Sequence, residues 1–262
     1  MDITHIPSEL KELIHLRYLD LSHNASLNEL PDSFCSLYNL QTLKLKGCKA
    51  LSKLPRGMGI MNNLIHLDTR GMDHLSLPKE IGKLTSLQTL NEFIVDGPSG
   101  EGCKILKDLN LLQGFIEIRG LGRLKTASEA SKAELKEKQE LCRLELDFGT
   151  IDGMASNTEG VKKDLDALEV EMITEGVLGA LQPHPNLRVL RIDSYLGWKF
   201  PSWIGNLTDL RMLSLYCCLK CTELPALGLL PSLEKLSLGR LDNLKRIGLR
   251  FMVMVMANML GN

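Results

Sequence analysis

The chain has 262 residues, 44% of them hydrophobic but only 5% aromatic, and 31 basic against 32 acidic side chains leave a formal net charge of -1. That balance excludes binding to nucleic acid or an anionic membrane surface by bulk charge, which needs a basic surplus. No apolar run approaches the roughly 20 residues that span a bilayer, no secretory leader pattern opens the chain, and seven cysteines without a pairing rhythm fit reduced thiols in a cytoplasmic protein.

From the N-terminus, Leu13, Leu16, Leu19, Leu21 and Asn24 set a pattern that Leu37, Leu40, Leu43, Leu45 and Cys48 repeat 24 residues later. Met61, Leu64, Leu67 and Thr69 follow after another 24, with Thr69 a polar substitute, and Leu84, Leu87 and Leu90 come 23 residues on. These form an N-terminal block of about four repeats over residues 1–96. Residues 97–149 are divergent: Gly97 to Gly102 reads as a loop, and Leu112, Ile116, Ile118 and Leu121 as a strand and turn. Thr126 and Glu129 have capping-box spacing and Ala127, Ala130 and Ala133 recur every three residues, which predicts an outer helix over 126–140. Leu141, Leu144 and Leu146 form the next strand. Residues 150–175 carry seven acidic and two basic side chains and read as an acidic insertion or a degenerate repeat. The pattern returns over 176–248 in about three repeats built on Leu187-Leu190-Ile192, Leu207-Leu210-Leu213-Leu215-Cys218 and Leu230-Leu233-Leu236-Leu238. Residues 249–262 are a Met-rich tail that fits no repeat slot.

A repeat of 23–24 residues with this spacing is the leucine-rich-repeat signature. It predicts an α/β solenoid, a curved horseshoe of about nine strands with a parallel sheet on the concave face and short helices and loops on the convex face. Alternate strand side chains point inward and stack repeat on repeat. The Leu-Pro steps at Leu30-Pro31, Leu54-Pro55, Leu77-Pro78 and Leu224-Pro225 close the opposite wall, while Asn24, Cys48 and Cys218 turn inward after the strand to meet backbone groups.

The outward positions are left to meet a partner. The candidate protein-binding strip is Arg17, Tyr18, Asp20 and His23, then Lys44 and Lys46, then His66, Asp68 and Arg70. Farther along it continues through Arg143 and Glu145, Arg188 and Arg191, Arg211 and Tyr216, and Lys235. Mixed charge with Tyr and Arg anchors fits protein recognition. Chemistry is not expected. Cys217, Cys218 and Cys221 lack the second ligand pair of a zinc site, the six histidines are scattered, and no closed pocket is foreseen to hold a nucleophile and its base. The acceptor patterns at Asn24 and Asn206 read as chance matches.

The blocks HLRYLDLSHN, LPDSFCSLYNLQTLKLKGC, LPKEIGKLTSLQTLNEFIV, LQGFIEIRGL and FPSWIGNLTDLRMLSLYCCLKCTELPALGLLPSLEKLSL resemble, in sequence and in order, the leucine-rich-repeat region of plant coiled-coil nucleotide-binding disease-resistance proteins. The resemblance covers about residues 3–248. It implies a non-enzymatic part in innate immunity, recognising pathogen effectors or guarded host proteins and restraining a nucleotide-binding domain. No G-x-x-x-x-G-K-[ST] phosphate loop occurs in this sequence, so no cofactor is expected here, and ADP or ATP would belong to that other domain. The alternative is a general intracellular scaffold for a small GTPase or phosphatase.

Overall fold

The computed structural model describes residues 2–72, 74–95, 101–149 and 167–245. The Met-rich tail, the loop expected over 97–100 and most of the acidic stretch fall outside the described residues. Strands β1 (Tyr18–Asp20), β2 (Thr42–Lys44), β3 (His66–Asp68) and β4 (Thr89–Leu90) form one parallel sheet in sequence order. A second parallel sheet, also in sequence order, holds β5 (Glu92–Ile94), β6 (Gly114–Arg119), β7 (Leu141–Asp147), β8 (Val189–Asp193), β9 (Met212–Tyr216) and β10 (Lys235–Gly239). Because β4 and β5 belong to one repeat, the ten strands among the described residues make nine rungs, in line with the about nine that the repeat pattern predicts.

The register follows the leucines. Leu19, Leu43, Leu67 and Leu90 are successive Cα partners, as are Ile116, Leu144, Leu190, Leu213 and Leu236. Nearly all are fully buried in one continuous core. Each buried leucine contributes roughly 1.5–3 kcal/mol by leaving water, and no rung can bury its own without a neighbour.

In a regular rung the two inward strand residues lie two apart, as Leu43 and Leu45 do. In the fourth rung they are Leu90 and Phe93, because Phe93 aligns with Ile118, which aligns with Leu146. One extra residue has been inserted at Asn91–Glu92, a β-bulge, and it separates the two sheets. Thr69 answers it from the third rung. Buried and opposite the interruption, its hydroxyl donates to the Glu92 carbonyl at 3.1 Å, replacing a lost ladder bond. The polar substitute has a job.

The strands end in a shared way. The residue four after the first inward position is left-handed at His23, Gly47, Gly71, Gly120, Ser194, Cys217 and Arg240. Only two more rungs remain, the bulged fourth and the one that runs into 150–166. Past this turn the inward slot behaves as expected: Asn24 Nδ2 donates to the Leu21 carbonyl at 2.8 Å, Cys48 Sγ to the same carbonyl at 3.0 Å, and Cys218 Sγ to that of Tyr216 at 3.3 Å.

The convex wall begins as 3-10 turns, each opened by a proline: Ser8–Glu12, Asp32–Ser36, Arg56–Ile60 and Lys79–Lys83. Proline's fixed φ favours helix entry and its missing N–H costs nothing there. In the divergent middle the wall passes to α1 (Glu101–Lys104), α2 (Ala127–Ser131) and α3 (Ala167–Ala180), then returns to a 3-10 turn at Ser202–Asn206.

Three readings of the sequence are corrected here. Glu101 and Gly102, expected in a loop, begin α1. The helix expected over 126–140 is only α2, five residues long. Its cap is as foreseen, with Glu129 N–H donating to Thr126 Oγ1 at 3.2 Å and the Glu129 carboxylate accepting from Lys125 N–H at 2.8 Å. The helix then stops because the Ser131 hydroxyl turns back to the Ser128 carbonyl and Glu134 is left-handed. Finally, residues 167–175, read as part of an acidic insertion or a degenerate repeat, form the first part of the helix α3. Val170, Val177, Leu178 and Leu181 are buried, and two acids are structural: Glu171 pairs with Lys220 at 3.2 Å, and Glu175 accepts the Trp198 and Lys199 amides at 2.7 and 3.1 Å.

Candidate functional site

The outward residues of both sheets form one concave strip, and its side chains are largely tied to each other. Along a strand, residues i and i+2 share a face, so an acid and a base at that spacing meet. Asp68 takes Arg70 Nε at 2.8 Å and Nη2 at 2.6 Å; Glu145 takes Arg143 Nε at 2.9 Å; Asp193 takes Arg191 Nη2 at 2.8 Å. Across strands, cations cover aromatics: Lys44 over Tyr18 at 5.2 Å, Arg143 over Phe115 at 5.0 Å and Arg191 over Tyr216 at 5.0 Å. Such pairs hold long side chains in fixed directions.

The predicted strip residues therefore divide. Arg70, Arg143, Glu145, Arg191, Tyr216, Lys44, Asp20 and Asp68 belong to this mesh. Asp20 accepts the Ser22 amide at 2.9 Å and lies 4.0 Å from Lys44. His66 is bonded to Thr89 at 2.5 Å, and Arg211 meets Glu234 at 3.4 Å in the open. Arg17, Lys46, Arg188 and Lys235 are exposed and make no ion pair among the described residues. His23 sits in the left-handed turn that ends the first rung.

The mesh closes into a cleft where the two sheets meet, with a cavity volume of about 440 Å³. It is lined by Arg70 and Gly71 from the third rung, by Glu92, Phe115, Glu117, Arg119, Glu145 and Asp147 on β5 to β7, and by Arg191 and Asp193 on β8. The bulge aims Glu92 into it: the Glu92 carboxylate accepts the Gly71 amide at 3.0 Å and Arg119 Nη1 at 2.7 Å. Arg119 Nε also lies 3.9 Å from Asp147.

Five carboxylates against three guanidinium groups line the cleft. Burial, then repulsion from Glu92 and Glu145, pushes the Glu117 carboxyl up to about 7 despite Arg119. Burial also raises Asp147, against the Gly149 amide hydrogen bond. Phe115, Glu92, Glu117 and Arg119 were not singled out from the sequence. Alternation carries the signal, since with Ile116 and Ile118 inward, residues 115, 117 and 119 must face out. Among the described residues no group of three or more His, Cys, Asp or Glu is placed to hold a metal, and no helix is long and apolar enough to cross a membrane.

The model of the family described as R13L1/DRL21 LRRs matches residues 103–241. A protein of Arabidopsis thaliana named for disease resistance is 39% identical over 251 residues, which are 95% of this chain and 17% of that one. The RGA1 protein of Solanum bulbocastanum, also named for disease resistance, is 36% identical over 90% of this chain and 23% of its own length. The chain thus spans less than a quarter of these relatives. In fold, the leucine-rich repeat domain of the type III effector XopL superposes with a TM-score of 0.56 at 20% identity, covering 91% of this chain and 73% of that one. A leucine-rich-repeat protein of Leptospira interrogans gives 0.51 at 23% identity, over 96% and 62%.

Proposed function

Because the chain belongs to the R13L1/DRL21 family of leucine-rich repeats, whose relatives here are named for disease resistance, we propose that it is the non-enzymatic recognition module of an innate-immune receptor. In this reading it works in the cytoplasm and its concave strip meets protein. One partner is the receptor's own nucleotide-binding domain, which carries the ADP or ATP and is held inactive. The other is a pathogen effector or guarded host protein, whose contact relieves that restraint.

The observation that supports this most is the strip itself. The inward strand side chains are used by the stack, and many of the outward ones form an ordered charged and aromatic mesh. Pre-ordered side chains lose less entropy on binding than free ones. The experiment is co-expression with a coiled-coil and nucleotide-binding half from a matching receptor. The chain is expected to co-purify with it, and charge reversal at Arg17, Lys44 and Arg70 together to weaken the complex, scored on variant chain that still melts cooperatively. Full recovery of the complex with the triple variant removes the N-terminal part of the strip from the contact. Failure of the unmodified chain to co-purify overturns the restraint reading.

A further inference from the structure

Glu92, Glu117 and Glu145 are successive Cα partners across β5, β6 and β7, so three glutamates stand in a row on strands about 4.8 Å apart. Like charges directly opposite on adjacent strands are destabilising. The outer two are neutralised, Glu92 by Arg119 at 2.7 Å and Glu145 by Arg143 at 2.9 Å. The middle one is not: among the described residues Glu117 has neither a hydrogen bond nor an ion pair. The next partner in the row, Arg191 on β8, is turned to Asp193 and to the Tyr216 ring. A stack selected for stability alone would place a neutral or basic residue at 117.

We propose that the cleft between the two sheets is the docking point for an arginine side chain of a protein partner, with Glu117 as its carboxylate acceptor and Phe115 and Glu145 as its walls. The inference rests on the reading that the concave strip meets protein, and it names the chemistry of that contact. A single cation at Glu117 leaves each carboxylate of the row of three with a basic partner, since Glu92 already has Arg119 and Glu145 already has Arg143. Arginine fits better than lysine because a planar guanidinium grips a carboxylate with two N–H groups and stacks on aromatic faces. The strip already uses both contacts, at Arg70–Asp68 and at Arg143–Phe115. The surplus of negative charge disfavours a nucleic-acid partner. The raised Glu117 carboxyl, facing Glu92, Arg119, Glu145 and Asp147, gives the contact a pH dependence. Its ionised form is the acceptor, so an arriving guanidinium draws its midpoint down.

The test uses the full chain and three peptides, acetyl-Gly-Gly-X-Gly-Gly-amide with X arginine, lysine or citrulline, following the Glu117 side-chain carboxyl resonance by NMR. The arginine peptide at saturation is expected to lower the Glu117 midpoint by at least about one unit, to bind at least about tenfold tighter than citrulline, and to weaken about tenfold from pH 8 to pH 6 as a group titrating near 7 loses its charge. Glu117→Gln, which removes an unpaired charge and so keeps or raises the melting temperature above pH 7, is expected to lose at least about tenfold in arginine-peptide affinity. Equal binding of citrulline, retained binding by Glu117→Gln, preference for lysine, or a Glu117 shift produced by calcium chloride but not by the arginine peptide each overturns the proposal. Co-purification with the nucleotide-binding half is scored separately. If that persists while the peptide result fails, the module reading stands and the arginine site does not.

Discussion

The first three rungs and the rungs from the fourth onward are built on one pattern but stabilised differently. In the first three, short strands and proline-opened 3-10 turns repeat almost identically, and the core is mostly Leu, Met and Cys, with Phe34 and Thr69. From the fourth rung on, strands lengthen to five to seven residues over most of the second sheet, α-helices replace 3-10 turns in part of the wall, and more of the buried groups are polar or charged. Lys138 is fully buried on Asn110 Oδ1 at 3.2 Å, and buried Tyr195 sits between Phe148 and Phe200 with its hydroxyl on the Lys199 carbonyl at 2.6 Å. Regularity makes a rung replaceable by its neighbour. Irregular contacts tie particular residues together, and the cleft lies where the two kinds of rung meet.

The largest expected effects test whether both parts share one core. Leu43→Ala and Leu144→Ala should each lose roughly 2–5 kcal/mol. Being four rungs apart they should add to within about 0.5 kcal/mol in urea unfolding, and clear non-additivity would show the two sheets to be more tightly coupled than a stack of neighbours. Next, Gly197→Ala should lose roughly 1–3 kcal/mol, because a Cβ there runs into the Tyr195 ring and the Glu175 side chain. Gly114→Ala has a left-handed φ but nothing within 4 Å and should lose only about 1 kcal/mol. Equal losses would mean that the Tyr195 and Glu175 side chains give way, so that the close approach at Gly197 costs no more than the left-handed backbone at Gly114.

The pH dependence should reside in the irregular part. Glu117 titrates near 7 when folded against an ordinary 4.5, so the folded state holds its proton more tightly. Stability should fall as pH rises from about 4.5 to 7, and Glu117→Gln should flatten that limb. Burial brings Lys138 from 10.5 down to about 8 against the pull of Glu134 and Asp108. The folded state then binds fewer protons than the unfolded chain between these values, so stability should rise from pH 8 to 10.5 and Lys138→Met should abolish the rise. Urea midpoints at pH 5, 7 and 9.5 check both signs. The smallest effect belongs to the regular part: His23→Gly should stabilise by about 0.5–1 kcal/mol, since His23 holds the left-handed turn that Gly47 and Gly71 fill in the next two rungs. No gain in midpoint would mean that the ring's contact with Gly47 offsets the strain.

Where the pattern has period, the sequence was legible. Leu-x-Leu placed the inward residues, Leu-Pro the convex turns, and Asn24, Cys48 and Cys218 the slot after each strand. What was missed lacks period or has a competing cause. The bulge looks in sequence like a lost leucine, because Phe93 stands three residues past Leu90 rather than two. The stripe of α3 is hidden among acids that read as solvated, though Glu171 and Glu175 are tied to Lys220 and to the backbone at Trp198. The alanines at 127, 130 and 133 suggested a long helix, yet only Ala130 and Ala133 are buried and the chain turns between them. At the cleft, Arg70, Glu145 and Arg191 were foreseen as strip residues, while Glu92 depends on the bulge and could not be placed without it.

The extra residue at Asn91–Glu92 also acts as a phase mark. Strand side chains alternate with period two, so in a stack of near-identical repeats a slip by one residue is the natural error. At this seam such a slip would carry the Glu92 carboxylate into the leucine core, away from Arg119 and the Gly71 amide, and leave it buried without a partner at a cost of several kcal/mol. The apolar ladder alone tells one rung from another weakly. A single charged side chain, set one step out of rhythm, indexes the two sheets against each other.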